Sequence, residues 1–341
     1  MTEENFTSLG RVEAIARLFE GTGFQPFEDC SFDADKWDKI ENASRVLLEG
    51  IDFDLTYFPL KHLGYKSVIS VTGELYARMA HPETLSVTLG ISAKLDFKYI
   101  KELFAGIVTA AKEHGYAKVS LDLMPSANGL CIAVSAMGIV KAVTAKRRPA
   151  TKSMDLICVS GELGAAFMGM QVLVGEKRKF EQAESKDGEF KPDLDKHKML
   201  VGSYLKPEID PATVYQLEKD EVYPSQGYFI TKGLADAVKR LVRDTKLGAK
   251  IYVDKIPFES GTFDLGKQFG IDPISAAFNG GEDNKILFTI PIGQHDKFRH
   301  DFQTYDIIGH LAKPEVGSVI VTPDGVELPM HSQGWKEPEE E

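Results

Sequence analysis

Asn279-Gly280-Gly281-Glu282-Asp283 carries more information than any other stretch of this chain. It sets two glycines and two acids at a strand entrance, just ahead of the apolar run Ile286 to Ile290. Glycines there let a ligand approach the backbone closely, and paired acids repel phosphate unless a cation stands between them. Taken alone, the same five residues also describe a tight acidic turn. The surrounding chain has to choose between these meanings.

Downstream, Ile307-Ile308 and Val319 to Val321 read as strands, and Glu337 to Glu341 as a frayed tail. Upstream, Leu234 to Leu247 is helical in pattern and Ile251 to Val253 extended. Leu156 to Ser160 reads as a buried strand, followed by Gly164 to Leu173, apolar at helical spacing. Glu176 to Lys198 is dense in charge and contains Asp187-Gly188, which predicts an exposed excursion. A composition break spans Lys141 to Lys152, centred on Arg147-Arg148-Pro149.

Before that break lies the clearest helix, Phe97 to His114. Asp96 is its expected N-cap, and Gly115 stands past its end. Ile100, Leu103, Phe104, Ile107, Val108 and Ala111 form its apolar stripe. Ala117 to Asp122 and Leu130 to Met137 read as strands, and the turn chemistry of Ser126-Ala127-Asn128-Gly129 predicts a hairpin between them. Extended structure is expected at Val68 to Val71 and Leu85 to Leu89, and a helix over Ser8 to Glu20, ended by Gly21. Glu28 to Asn42 is polar and acidic without a clear period. No internal repeat is visible. The pattern is α/β (α+β), with two domains meeting near residue 148.

A length of 341 residues suits two domains, and 43% hydrophobic with 27% charged residues is a globular balance. The net charge is −11, from 40 Lys and Arg against 51 Asp and Glu. Such a chain is a poor polyanion binder, so no nucleic-acid partner is expected, although a local basic spot can hold a small phosphate. Cys30, Cys131 and Cys158 form neither a disulfide framework nor a paired zinc spacing, which fits a reducing compartment. Met1-Thr-Glu-Glu-Asn is acidic and polar, so no signal peptide is readable, and no apolar run reaches the about 18 residues of a membrane span. The expectation is a soluble cytoplasmic protein with no membrane partner.

Other motifs are weaker. Gly261 to Gln268, GTFDLGKQ, has Gln where a phosphate-binding P-loop needs Ser or Thr for magnesium, and lacks a convincing strand before it. Ser160-Gly161-Glu162-Leu163-Gly164-Ala165-Ala166 joins a strand to a helix, as a nucleotide turn or, more ordinarily, a packing junction would. The eight histidines show no ligand spacing, and no G-x-S-x-G elbow or Cys–His pairing offers a nucleophile.

Several segments, taken in order, resemble one family. They are Leu48-Glu49-Gly50-Ile51-Asp52-Phe53-Asp54-Leu55, Leu60-Lys61-His62-Leu63-Gly64-Tyr65-Lys66 and Val87-Thr88-Leu89-Gly90-Ile91. Asp155 to Gly161, Leu205-Lys206-Pro207-Glu208, Ala277 to Asp283 and Gln333-Gly334-Trp335 follow. The chain resembles the thiamine-monophosphate kinases, within the larger group that includes aminoimidazole ribonucleotide synthetase, colinearly from about Ser8 to Trp335. The resemblance implies a two-domain fold, with 1–147 as an ATP-binding and dimerisation domain, 148–335 as a second α/β domain and 336–341 as a tail. It implies a homodimer formed by pairing the N-terminal sheets. It further implies transfer of the γ-phosphoryl of ATP to thiamine monophosphate, with both anions neutralised by magnesium ions on carboxylates.

The chain departs from that family at the magnesium-binding positions. The family's Gly-Asp-Asp aligns with Phe27-Glu28-Asp29, and a further aspartate becomes Arg45. The histidine of the EGxHF motif becomes Asp52, Ser-Asp becomes Gly73-Glu74, and Gly-Gly-Asp-Thr becomes Ser120-Leu121-Asp122-Leu123. Asp-Ile-Ser-Asp-Gly becomes Phe229-Ile230-Thr231-Lys232-Gly233, while Arg148 and Glu282-Asp283 are kept. By resemblance, Glu28, Asp29, Glu74 and Asp122 are the remaining metal candidates. Arg148, Lys232 and Arg45 are candidates for nucleotide or phosphate, and Asp52, Glu282, Asp283 and Trp335 for substrate. Two cations at former aspartate positions predict a metal-depleted cleft, because a guanidinium or ammonium pairs with carboxylates and repels a divalent ion. A family kinase with reduced or lost activity is the resulting expectation. Its alternatives are a non-catalytic regulatory or nucleotide-binding homologue and a kinase for an altered substrate.

Overall fold

A computed structural model describes residues 39–183, 191–296, 298 and 305–333. The helix expected over Ser8 to Glu20, the candidates Glu28, Asp29 and Trp335, and the tail lie outside the described residues.

The first half is built from β1 (Lys39–Leu48), α1 (Leu60–Ala77), β2 (His81–Ser92), α2 (Phe97–Glu113), β3 (Lys118–Ser126) and β4 (Cys131–Val140). The strands form one sheet in the order β1-β4-β2-β3. α2 matches the stripe in the sequence, and Asp96 occupies the N-cap position without a side-chain cap bond. The expected hairpin is absent. β3 pairs in parallel with β2 as the far arm of a β2–α2–β3 crossover, and β4 returns to lie between β1 and β2. The turn chemistry at Ser126 to Gly129 was legible, but a turn does not fix which strand its neighbour pairs with.

Val68 to Val71 is helical, inside α1, rather than extended. α1 is buried on nearly every side, so its β-branched run has no polar face to reveal the helical period. It packs on β1 and β4 on one side and on two strands of the second half, Gln226–Ile230 and Lys285–Ile290, on the other. Gly64 and Gly106 let α1 and α2 cross closely. A Cβ on Gly64 would stand 2.0 Å from the Leu103 carbonyl oxygen, and one on Gly106 1.9 Å from that of Lys61.

After α3 (Ala142–Arg147) come β5 (Leu156–Val159), α4 (Ala165–Ala183), α5 (Lys198–Leu205), α6 (Thr213–Lys219) and β6 (Gln226–Ile230). They are followed by α7 (Leu234–Thr245), β7 (Gly248–Tyr252), α8 (Gly261–Phe269), β8 (Lys285–Ile290), β9 (Asp306–Ala312), β10 (Ser318–Val321) and β11 (Glu327–Pro329). The second sheet runs β11-β10-β7-β9-β5-β8-β6. GTFDLGKQ is the body of α8, not a loop. The excursion expected from Glu176 is corrected in part: α4 continues to Ala183, and the buried Glu176 carboxylate accepts from the Asp193 amide at 3.1 Å.

Alternation along β5 and β8 divides the core. Leu156, Cys158, Ile286, Phe288 and Ile290 join a cluster that runs through α1 into the first sheet. Ile157, Val159 and Leu287 pack with Leu234, Val238 and Leu241 of α7. Each fully buried side chain of this size contributes about 1.5–3 kcal/mol. Cys131 and Cys158 are free thiols. Among the described residues, no helix is long and apolar enough to cross a membrane.

Candidate functional site

The loop after β1 meets α4, α5, the β6–α7 turn and the 279–283 loop around a cavity of about 420 Å³. Asp52, Phe167, Tyr204, Lys232, Gly280, Gly281 and Glu282 are among the residues lining it.

The 279–283 loop is pinned to the end of β6 by two backbone bonds, Glu282 N–H to the Thr231 carbonyl at 3.0 Å and Asn284 N–H to that of Ile230 at 2.9 Å. Gly281 has φ +77° and Glu282 φ +66°. Positive φ is uncommon for a residue with a side chain, so the surrounding bonds must hold Glu282 in place. Asp283 does not line the cavity. It is buried, its two carboxylate oxygens each accept the Gly164 N–H at 3.0 Å, and one accepts that of Ala166 at 3.4 Å. Burial pushes its carboxyl up to about 7, against those bonds. The Ser160 to Ala166 junction is therefore the anchor of this loop.

Glu282 is the hub of the seam. Its carboxylate meets the Lys66 ammonium at 2.8 Å and the Arg45 guanidinium at 3.4 Å. Burial opposes its ionisation, but the charges of Lys66 and Arg45 together outweigh that and hold the carboxyl below its ordinary value. Lys66 is itself buried, donates to the Tyr204 carbonyl at 2.9 Å and sits 3.8 Å from the centre of the Tyr204 ring. Nearer the cavity mouth, Asp52 accepts the Leu48 N–H at 2.9 Å and faces the Lys232 ammonium at 3.7 Å.

Arg45, Asp52, Lys232 and Glu282 are thus brought together. Other candidates are not. Arg148 donates to the Arg78 carbonyl at 2.7 Å and does not line the cavity. Asp122 lies opposite Thr88 on the face of the first sheet that carries the Ser86–Ser120 hydroxyl contact, and accepts from the Leu123 N–H. Glu74 belongs to α1, against the other face of that sheet, and meets Arg240 at 3.4 Å.

Arg240 is buried, also meets Asp236 at 3.2 Å and donates to the Phe229 carbonyl at 2.8 Å. Burial works against its charge, but Glu74 and Asp236 outweigh that and hold it protonated. Beside it, the buried Phe229 ring covers Gly73: a Cβ at Gly73 would lie 2.2 Å from the ring. Two departures noted in the sequence, Gly73 and Phe229, are therefore one packing contact.

Magnesium demands several hard oxygen ligands. Among the described residues no group of three His, Cys, Asp or Glu is arranged to hold a metal. Glu74, Asp52 and Glu282 each face a cation, and Asp283 faces backbone amides. The described carboxylates of this region do not fit a resident magnesium ion.

Sequence reasoning missed Lys66, Tyr204 and Arg240, and it noted Phe229 without its partner Gly73. One signal was present for Lys66: a lone lysine in an apolar helical run must be paired if buried. Nothing local marks Tyr204 or Arg240.

The architecture defines a class, two sheets joined through one buried helix with an ionic cleft at their seam. No family model matches the chain. The thiamine-monophosphate kinase of Aquifex aeolicus (strain VF5) is 23% identical over 287 residues, 83% of this chain and 85% of that protein. The solved structure of AaThiL complexed with AMPPCP and TMP has a TM-score of 0.77 at 21% identity, covering 98% of this chain and 99% of that one. The hydrogenase maturation protein HypE in complex with ATP has a TM-score of 0.62 at 15% identity, covering 97% of each chain. Over most of its length the chain resembles thiamine-monophosphate kinases as a divergent relative, and it has their fold.

Proposed function

We propose that this protein is a divergent thiamine-monophosphate kinase homologue in which magnesium-dependent transfer from ATP is reduced or lost. The carrying observation is the Gly73–Phe229 contact with Glu74 tied to Arg240. By resemblance these are ligand positions, and here an aromatic ring and a guanidinium fill them. Lys232 against Asp52 and Arg45 against Glu282 extend the replacement across the seam. Phosphoryl transfer between two anions relies on electrostatic neutralisation and positioning, so losing metal ligands removes most of what such a site supplies.

The likeness to HypE in complex with ATP favours retention of nucleotide binding as a second reading, with a role other than thiamine phosphorylation. We assign 1–147 and 148–335 as the two domains. Homodimerisation through the first sheet is supported by its exposed apolar side chains, Ile40, Val46, Leu48, Met124 and Met137, and by the edge of β3, unpaired among the described residues.

The test is chromatographic detection of thiamine diphosphate after incubating pure protein with thiamine monophosphate, ATP and magnesium, beside a Glu74→Ala control. Little or no product from folded protein is expected. Full-rate product that disappears in the control would contradict the proposal.

A further inference from the structure

We propose that the cleft binds the phosphate of a small phosphate monoester directly on the Lys232 ammonium, with no divalent ion between them. This rests on the assignment of the cleft above as the ligand site and concerns how that site meets phosphate.

Among the described residues, each carboxylate facing the seam is already met. Glu282 is held at 2.8 Å by Lys66 and at 3.4 Å by Arg45, and Asp236 and Glu74 share Arg240. None is left with both oxygens open to recruit a divalent ion. Lys232 differs from the other cations. Its side chain is 43% exposed, it lines the cavity, and among the described residues its one ion pair, to Asp52, is 3.7 Å long. That exceeds the roughly 2.7–2.9 Å of a charge-assisted hydrogen bond, so the ammonium keeps donors for an incoming anion. Asp52 is meanwhile oriented by the Leu48 amide and does not depend on Lys232 for its position.

The rest of the cavity suits the body of an ester. Phe167, Met170 and Ile51 give apolar walls, and Gly280 lets the Phe167 side chain pack against the loop, since a Cβ there would lie 2.6 Å from it. A volume of about 420 Å³ is the scale of a small-molecule pocket. The ligand class is therefore a phosphate monoester with an apolar or heteroaromatic body.

The experiment is calorimetric titration of the full chain with thiamine monophosphate as probe, in EDTA and again in excess magnesium, with unphosphorylated thiamine as comparison. Binding in EDTA is expected, changed less than about twofold by magnesium, and absent or at least about tenfold weaker for thiamine. Lys232→Ala should weaken the phosphate ester at least about tenfold with an unchanged melting temperature, and Lys232→Arg should restore most of it. Binding that appears only with magnesium overturns the inference, as does a Lys232→Ala protein that binds as well as the parent. Absence of binding in both buffers also overturns it. The proposed function is judged separately, by thiamine diphosphate formation.

Discussion

Lys66 and Lys232 each face a carboxylate across the seam between the two sheets, and they hold it in opposite ways. Lys66 is buried, 2.8 Å from Glu282, capped by the Tyr204 carbonyl and covered by the Tyr204 ring. Lys232 stands at the mouth, 43% exposed and 3.7 Å from Asp52. A buried ion pair is costly to break, because the abandoned partner stays desolvated. An exposed, loose pair contributes little to stability and leaves its charge available. The same chemistry thus serves architecture at one depth and ligand contact at another.

The comparison can be broken at its buried end first. Lys66→Met leaves Glu282 with Arg45 alone and should cost about 3–5 kcal/mol in urea unfolding. Adding Glu282→Leu should recover part of that, since an apolar pair of similar volume needs no charge partner. A Lys66→Met loss below about 1 kcal/mol would mean the pair is not desolvated as the structure shows.

Next in size is the packed contact beside it. Gly73→Ser should cost about 1–3 kcal/mol by pressing on the Phe229 ring, and less in a Phe229→Ala background. Additive losses in the double-mutant cycle would separate the two positions.

A smaller effect is the pH dependence of Glu282. Its folded value lies below the ordinary 4.5, so on acidification the unfolded chain takes up the proton first. The stabilisation is complete above about pH 5 and is lost as pH falls through the folded value. Glu282→Gln should therefore show a shallower fall in stability over that acidic range. The smallest effect belongs to the mouth: Lys232→Ala should change stability by no more than about 0.5 kcal/mol, measured by the same unfolding titration.

What the sequence revealed follows from what is local. α2 was legible because a one-sided stripe at Ile100, Leu103 and Ile107 repeats at helical spacing. α1 was not, because Val68 to Val71 are buried on all sides and periodicity vanishes there. The parallel pairing of β3 with β2 depends on the crossover, which no turn signal encodes. At the site, Arg45, Asp52, Lys232 and Glu282 were visible as departures from or retentions of a family pattern. Their partners were not, since Arg45–Glu282 and Lys66–Glu282 join residues distant in the chain. The burial of Phe229 on Gly73 explains two substitutions together, where sequence could only note each separately.

The central claim is that cations and a ring stand where divalent-ion ligands would be needed. Charge reversal tests it most directly: ATP affinity by calorimetry, with magnesium and with EDTA, for the parent and for Arg45→Asp/Lys232→Asp. The account predicts that magnesium changes the parent's affinity less than about twofold and raises the double variant's at least about tenfold. A parent already tightened about tenfold by magnesium, or a folded double variant with no gain, would contradict it.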